Sequence, residues 1–261
     1  MAKKEEAKKE VAKKEAVKKE TAKVSKKGQA EINEAVNKSE AFFEKYKKHL
    51  LAALAAVIII VGGWMLYKEF VVKPRVEKSN TALSKPQELF GMRQFDKALK
   101  GDSTGVKGFI AIADEYSGTP AGNLANLYAG LCYANLATAD STAEASKKWQ
   151  EAVRYLDNFD QKGDLMVSPM ALVAAGDAYA NVGDMDKAVS LFKKASETAD
   201  KATEDGVNNS VSPTALLKAS IVLLKQNKKD EALKLLQDIK AKYVQTPLRS
   251  EIDKYIEYAS K

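Results

Sequence analysis

One cysteine, one histidine and only six prolines occur in these 261 residues. A lone thiol, Cys132, cannot close an internal disulfide, so the fold must rest on its core. Cys132 stands beside Tyr133 on a helix whose face is expected to be buried, which suits a small core residue. His49 has no second His and no Cys cluster near it, so neither a zinc site nor a base for a Ser nucleophile is written here. The phosphate-cradling patterns GxxxxGK[ST] and GxGxxG are missing. Gly101, Gly105 and Gly108 are loosely spaced, follow no strand, and read as loop. Strand signals are also scarce, with no period-two run flanking an Asn-Gly or Asp-Gly turn. No catalytic, metal-binding or cofactor-binding residue is assigned, no cofactor is implied, and an enzyme is not expected.

What the chain does have is a long apolar run. Leu50–Leu66 reads LLAALAAVIIIVGGWML and holds no charge. Seventeen residues at about 1.5 Å each reach roughly the hydrocarbon thickness of a bilayer. A core helix would carry a polar stripe, and none is present. Lys45, Lys47, Lys48 and His49 precede the run, and Trp64, Tyr67, Lys68 and Phe70 close it as an interfacial belt. The segment is expected to be a transmembrane helix over residues 49–72. The long tail before it and the poor cleavage site at Gly62-Gly63-Trp64-Met65 point to an uncleaved signal anchor.

Residues 1–48 hold 15 Lys against 9 Glu, a net charge of +6, while the whole chain is +7. The basicity therefore belongs to the tail, which removes the case for a nucleic-acid-binding domain. The KKE unit recurs about every five residues, which fits no heptad. With no apolar face to pack, the tail is expected to be a solvated arm, partly helical or disordered. The Lys excess before the run places the N-terminus in the cytoplasm. Residues 30–48 regain apolar residues at Ile32, Val36, Phe42, Phe43 and Tyr46, a pattern for a short interfacial helix.

Residues 73–261 are rich in Ala, Leu, Lys and Glu and form an expected all-α domain. From Pro169 the sequence follows a 34-residue helix-turn-helix grammar. Leu172, Gly176 and Tyr179 mark a first helix, Gly183 and Met185 the turn, and Ala188, Phe192 and Ala195 a second helix. Two helices approach closely only where small residues meet, which Gly176, Ala188 and Ala195 provide. This resembles a tetratricopeptide repeat. A second unit starts at Pro213 with Leu216, Ser220 and Leu223, then Ala232, Leu236 and Ile239, with Asn227 in place of the turn glycine. An earlier unit pairs Gly130 and Tyr133 with Ala145, Trp149 and Ala152, and a degenerate one opens the domain at Leu89, Phe95 and Ala98. Arg249–Ala259 is expected to cap the solenoid's last apolar face.

In such a solenoid the first helices line a concave face. Its expected partner-binding residues are Leu127, Leu131, Asn135, Val173, Asp177, Asn181, Leu217, Ile221 and Lys225. That surface suits a peptide groove, and equally a face covered by the chain's own linkers or by a second copy.

The stretches GFIAIADEYSGTPAGNLANLYAGLCY, PMALVAAGDAYANVGDMDKAVSLFKKA and EIDKYI, after a basic tail and one span, are similar to the YfgM-like family in the form found in Bacteroidota. The resemblance covers residues 40–261 and leaves the KKE tail outside. It implies an accessory subunit of the SecYEG translocon in the bacterial inner membrane, with the domain in the periplasm. Its implied partners are SecYEG, a PpiD-like periplasmic chaperone and emerging secreted polypeptides, met by binding rather than catalysis. The alternative is a membrane-anchored periplasmic adaptor for an envelope complex unrelated to Sec.

Overall fold

The computed structural model describes residues 33–34, 36–40, 42, 44–103, 105–161 and 165–261. Most of the KKE tail and the start of the expected interfacial helix lie outside these residues. The chain divides into two compact units, Met1–Phe70 and Val71–Lys261.

In the first unit the apolar run is helical and belongs to the helix Glu44–Gly91. Its most apolar 18 residues have a mean hydropathy of 2.4, and none of that window is buried within the protein. Ile59 is 72% exposed and Ile60 70%. Bare aliphatic side chains over this length have no match on a water-facing helix. Before the run, Tyr46 contacts Phe42 with ring centroids 4.8 Å apart and carries the Lys45 ammonium 5.4 Å from its ring. After the run, Lys68 sits 5.4 Å from the Trp64 ring.

The second unit is helical throughout, with α1 (Lys73–Gly91), α2 (Phe95–Lys100), α3 (Phe109–Glu115), α4 (Pro120–Thr138), α5 (Glu144–Asp157), α6 (Ser168–Val182), α7 (Met185–Lys201), α8 (Val211–Lys225), α9 (Lys229–Lys242) and α10 (Arg249–Ala259). No named strand occurs among the described residues; the single isolated bridge joins Gly101 and Lys107. The helices α4–α5, α6–α7 and α8–α9 pack as successive hairpins, and each second helix also packs on the first helix of the next hairpin. The domain is thus a helical-hairpin solenoid. α10 packs against α9 and α8 and buries Ile252 and Ala259. Its outward side carries Glu251, Asp253, Lys254 and Glu257.

Three turns share one backbone device. The amides of Gln94, Asp184 and Lys228 donate to the carbonyls of Leu89, Tyr179 and Leu223, at 2.9, 3.0 and 2.9 Å. The residue before each donor is left-handed: Arg93 at φ 59°, Gly183 at φ 93° and Asn227 at φ 61°. A left-handed residue after the last helical turn lets the next amides satisfy carbonyls that the helix leaves open. Asn227 performs the turn that Gly183 performs, because asparagine tolerates this conformation better than other side chains. Four residues beyond each donor, Ala98, Ala188 and Ala232 are fully buried in the first turns of the second arm. The opening hairpin therefore has the same turn as the later ones. Its second arm then breaks at Gly101 and resumes at Phe109, whose ring stacks on Tyr128 with centroids 5.0 Å apart.

The α4–α5 hairpin is the divergent one. The repeat pattern puts Ala145, Trp149 and Ala152 on its second helix, where they lie, and the residues facing Gly130 are Ala152 and Leu156. A Cβ on Gly130 would lie 2.6 Å from Leu156 Cγ and 3.2 Å from the Ala152 carbonyl. The first arm is longer, with 19 residues in α4 against 15 in α6, and the second is shorter, with 14 in α5 against 17 in α7, so the contact slides along α5. Its turn uses Asp140 in place of a left-handed residue. The Asp140 carboxylate accepts from the Thr142 amide (2.8 Å) and hydroxyl (2.6 Å) and pairs with Lys148. Lys148 first, then Thr142, hold its carboxyl down at about 2.

Candidate partner-binding face

The nine residues expected on the open face come from equivalent places on α4, α6 and α8, and the structure sorts them by place. The first place holds Leu127, Val173 and Leu217. Leu127 packs with Ala171, Ala175 and Ala178 of α6. Val173 packs on the clusters containing Ala215, Ala219 and Val222 of α8. Leu217 packs with Tyr243 and with Ile252 and Ala259 of α10. Leu127 is 5% exposed and Leu217 4%. These two leucines, expected on an open surface, are instead sealed between successive units. The physical reason is that a unit cannot bury its apolar face alone, so its first helix must cover the next one.

The second place holds Leu131, Asp177 and Ile221. Leu131 and Ile221 are partly buried against the clusters on their C-terminal side. Asp177 spans the same gap by charge, accepting from Lys218 Nζ on α8 at 2.8 and 3.0 Å. Both side chains of this pair are 38% exposed, so it joins the two helices while remaining in reach of solvent. Nothing in the sequence alone marks Lys218 as part of this face. Its signal, a Lys directly after Leu217 that pairs with an Asp one unit earlier, needs the fold to be seen.

The third place holds Asn135, Asn181 and Lys225. Asn135 and Asn181 each turn their amide back onto the carbonyl four residues earlier, Leu131 and Asp177, at 2.8 Å. Asn181 and Lys225 are exposed, as is Met170 at 58% near the start of α6. The accessible part of this side of α6 and α8 is therefore mixed: Met170, the Asp177–Lys218 pair, Asn181 and Lys225.

The joint between the second and third hairpins is fixed by a buried carboxylate. Asp200 at the end of α7 accepts from Ser212 (2.6 Å) and the Asn208 amide (2.9 Å) on one oxygen. Its other oxygen accepts from Lys242 (2.6 Å) and the Tyr243 hydroxyl (2.7 Å). Burial pushes this carboxyl up, yet the donors together, Lys242 and Ser212 foremost, hold it below the usual range. Burial likewise pushes the Tyr243 hydroxyl up, reinforced by Asp200. At the preceding joint, Tyr179 donates to Asp157 at 2.6 Å, which raises the phenol to about 12. Cys132 is fully buried, and burial raises its thiol to about 12, so it is a packing residue. Among the described residues no cluster of His, Cys, Asp or Glu could hold a metal ion.

Models of the tetratricopeptide repeat match residues 171–205 and 214–246. These stretches cover α6–α7 and α8–α9, so the chain carries two tetratricopeptide repeats, modules that scaffold protein–protein interactions. No curated protein and no solved structure matches the chain.

Proposed function

We propose that this protein is a single-span accessory of the SecYEG translocon. In this reading residues 1–48 form a cytoplasmic Lys/Glu arm, 49–72 the signal anchor, and 73–261 a periplasmic tetratricopeptide domain at the channel exit. The domain binds a PpiD-like chaperone, emerging polypeptides, or both. The observation that carries the reading is the joining of two parts in one chain: an unburied apolar helix of membrane-crossing length and a repeat domain of the protein-binding kind.

The span has its own support. Tyr46 with Lys45 and Trp64 with Lys68 form aromatic–lysine belts at either end, 18 residues apart in sequence. At 1.5 Å per residue the belts stand about 27 Å apart, close to the thickness of a hydrocarbon core. The Lys excess of the tail supports a cytoplasmic N-terminus. The similarity of residues 40–261 to the YfgM-like family supports the Sec assignment. Anchoring also supplies a mechanism. A weak binding face held beside the channel meets each client at high effective concentration, so it needs little intrinsic affinity. No residue is assigned a chemical step.

The test is affinity purification of the full-length protein in gentle detergent, with mass spectrometry, beside a version lacking residues 73–261. Recovery of SecY and a PpiD-like chaperone with the intact chain alone supports the reading. Recovery of an unrelated envelope complex without Sec components overturns it and leaves an anchored repeat scaffold.

A further inference from the structure

We propose that the open cleft at the start of α4 binds an extended polypeptide carrying a basic side chain. The proposal rests on the polypeptide-binding reading above and gives it a site. The cleft holds about 540 Å³, within the usual range for ligand sites, and lies between the α3–α4 turn and the segment that follows α5.

Its floor is built from small residues. Ala113, Thr119 and Gly122 line it and are buried. The Thr119 hydroxyl is already used, accepting from the Gly122 amide at 3.0 Å and donating to the Tyr116 carbonyl at 2.8 Å. The floor therefore offers shape, and the rim offers the chemistry.

One wall shows how main chain is held here. Asn123 on α4 grips a peptide from both sides. Its amide nitrogen donates to the Asp160 carbonyl at 2.7 Å, and its oxygen accepts from the Asp160 amide at 2.8 Å. A side-chain amide thus pairs with the carbonyl and the amide of one residue at once.

The remaining rim groups are similar in kind and unspent. Among the described residues, the Asn158 side-chain amide and the Ser117 hydroxyl have no hydrogen-bond partner. Asn126 uses only its nitrogen, donating to the Gly122 carbonyl at 3.3 Å, which leaves its oxygen to accept. An amide and a hydroxyl each donate and accept, which suits the alternating groups of a peptide and discriminates little between sequences. The cleft also exposes the Asp114 carboxylate, which has no cation or donor partner among the described residues. A carboxylate beside amides favours a Lys or Arg side chain on the bound segment. The walls carry no large apolar side chain, which argues against a greasy helix as the guest.

The test uses the full-length protein in lipid nanodiscs and three fluorescent Ser/Ala dodecapeptides, with two central Lys, two central Glu or neither. The Lys peptide is expected to bind, and Asp114→Asn to weaken it about fivefold. Asn158→Ala is expected to weaken the Lys and neutral peptides alike, since it removes a backbone contact. Glu251→Gln, on the outward side of α10, is expected to change neither. Asp114 and Asn158 are exposed, so unchanged thermal unfolding will show that the variants fold. Peptide binding indifferent to Asp114 and Asn158 overturns the cleft while leaving polypeptide binding intact. No binding of any peptide also overturns it, and co-purification with Sec components then decides the wider reading separately.

Discussion

The ring of Phe192 occupies the space a side chain on Gly176 would need. A Cβ at position 176 would come within 2.6 Å of Phe192 Cε1. Phe192, on α7, is 1% exposed and its ring is held between Gly176 of α6 and Ala219, Val222 and Leu223 of α8, so it has nowhere to withdraw. Substituting Val at 176 is expected to cost about 2 kcal/mol through overpacking. Gly176→Ala should cost less, because alanine gains about 1 kcal/mol of helix propensity over glycine. Adding Phe192→Leu to Gly176→Val is expected to recover part of the loss in denaturant unfolding. Plain additivity would show that the two residues do not share the space.

Asp200 makes a pH prediction. Its folded carboxyl titrates below its unfolded value, so the stability it contributes is complete above the ordinary carboxylate range and is lost as pH falls through the folded pKa. Asp200→Asn is expected to lower stability by about 2 kcal/mol at neutral pH, since Lys242, Tyr243 and Ser212 lose a charged acceptor. The gap between wild type and variant should narrow below about pH 4. A gap constant from pH 7 to pH 3 would contradict the assignment.

Asn227, left-handed like Gly183, should accept glycine and resist valine. Asn227→Gly is expected to be neutral within about 0.5 kcal/mol, because glycine accepts the left-handed turn without strain. Asn227→Val should cost about 1–2 kcal/mol, from forcing a branched side chain into that conformation. Equal effects of Gly and Val at 227 on the unfolding midpoint would count against the turn.

Cys132 should be chemically silent. With its thiol at about 12 and no exposure, alkylation at neutral pH requires the domain to open. Its rate with iodoacetamide is expected to follow the unfolding equilibrium as denaturant is added. Fast labelling of the folded protein would place Cys132 outside the core.

The fold was legible in the sequence to the extent that it is written as small residues at fixed spacing. Gly176, Ala188 and Phe192 announce their own contact, and Gly183 announces a turn that Asn227 and even Arg93 repeat. The α4–α5 register was not legible, because arm length depends on where the turn closes, and Asp140 closes it by a local hydrogen-bond pattern with no glycine to mark it. The open face was legible in part. Periodicity placed Leu127 and Leu217 on the inner side of their helices, but only stacking reveals that the next unit covers that side. The Asp200 cluster was invisible beforehand, since its members lie up to 43 residues apart and converge only in the folded chain.

The measurement that tests the central claim most directly is in-cell photocrosslinking from Asn181 and Lys225, two exposed residues of the repeat face. The account predicts adducts with a Sec subunit, a PpiD-like chaperone or secreted chains caught during export. Adducts confined to an envelope complex unrelated to Sec, or to cytoplasmic proteins, would contradict it.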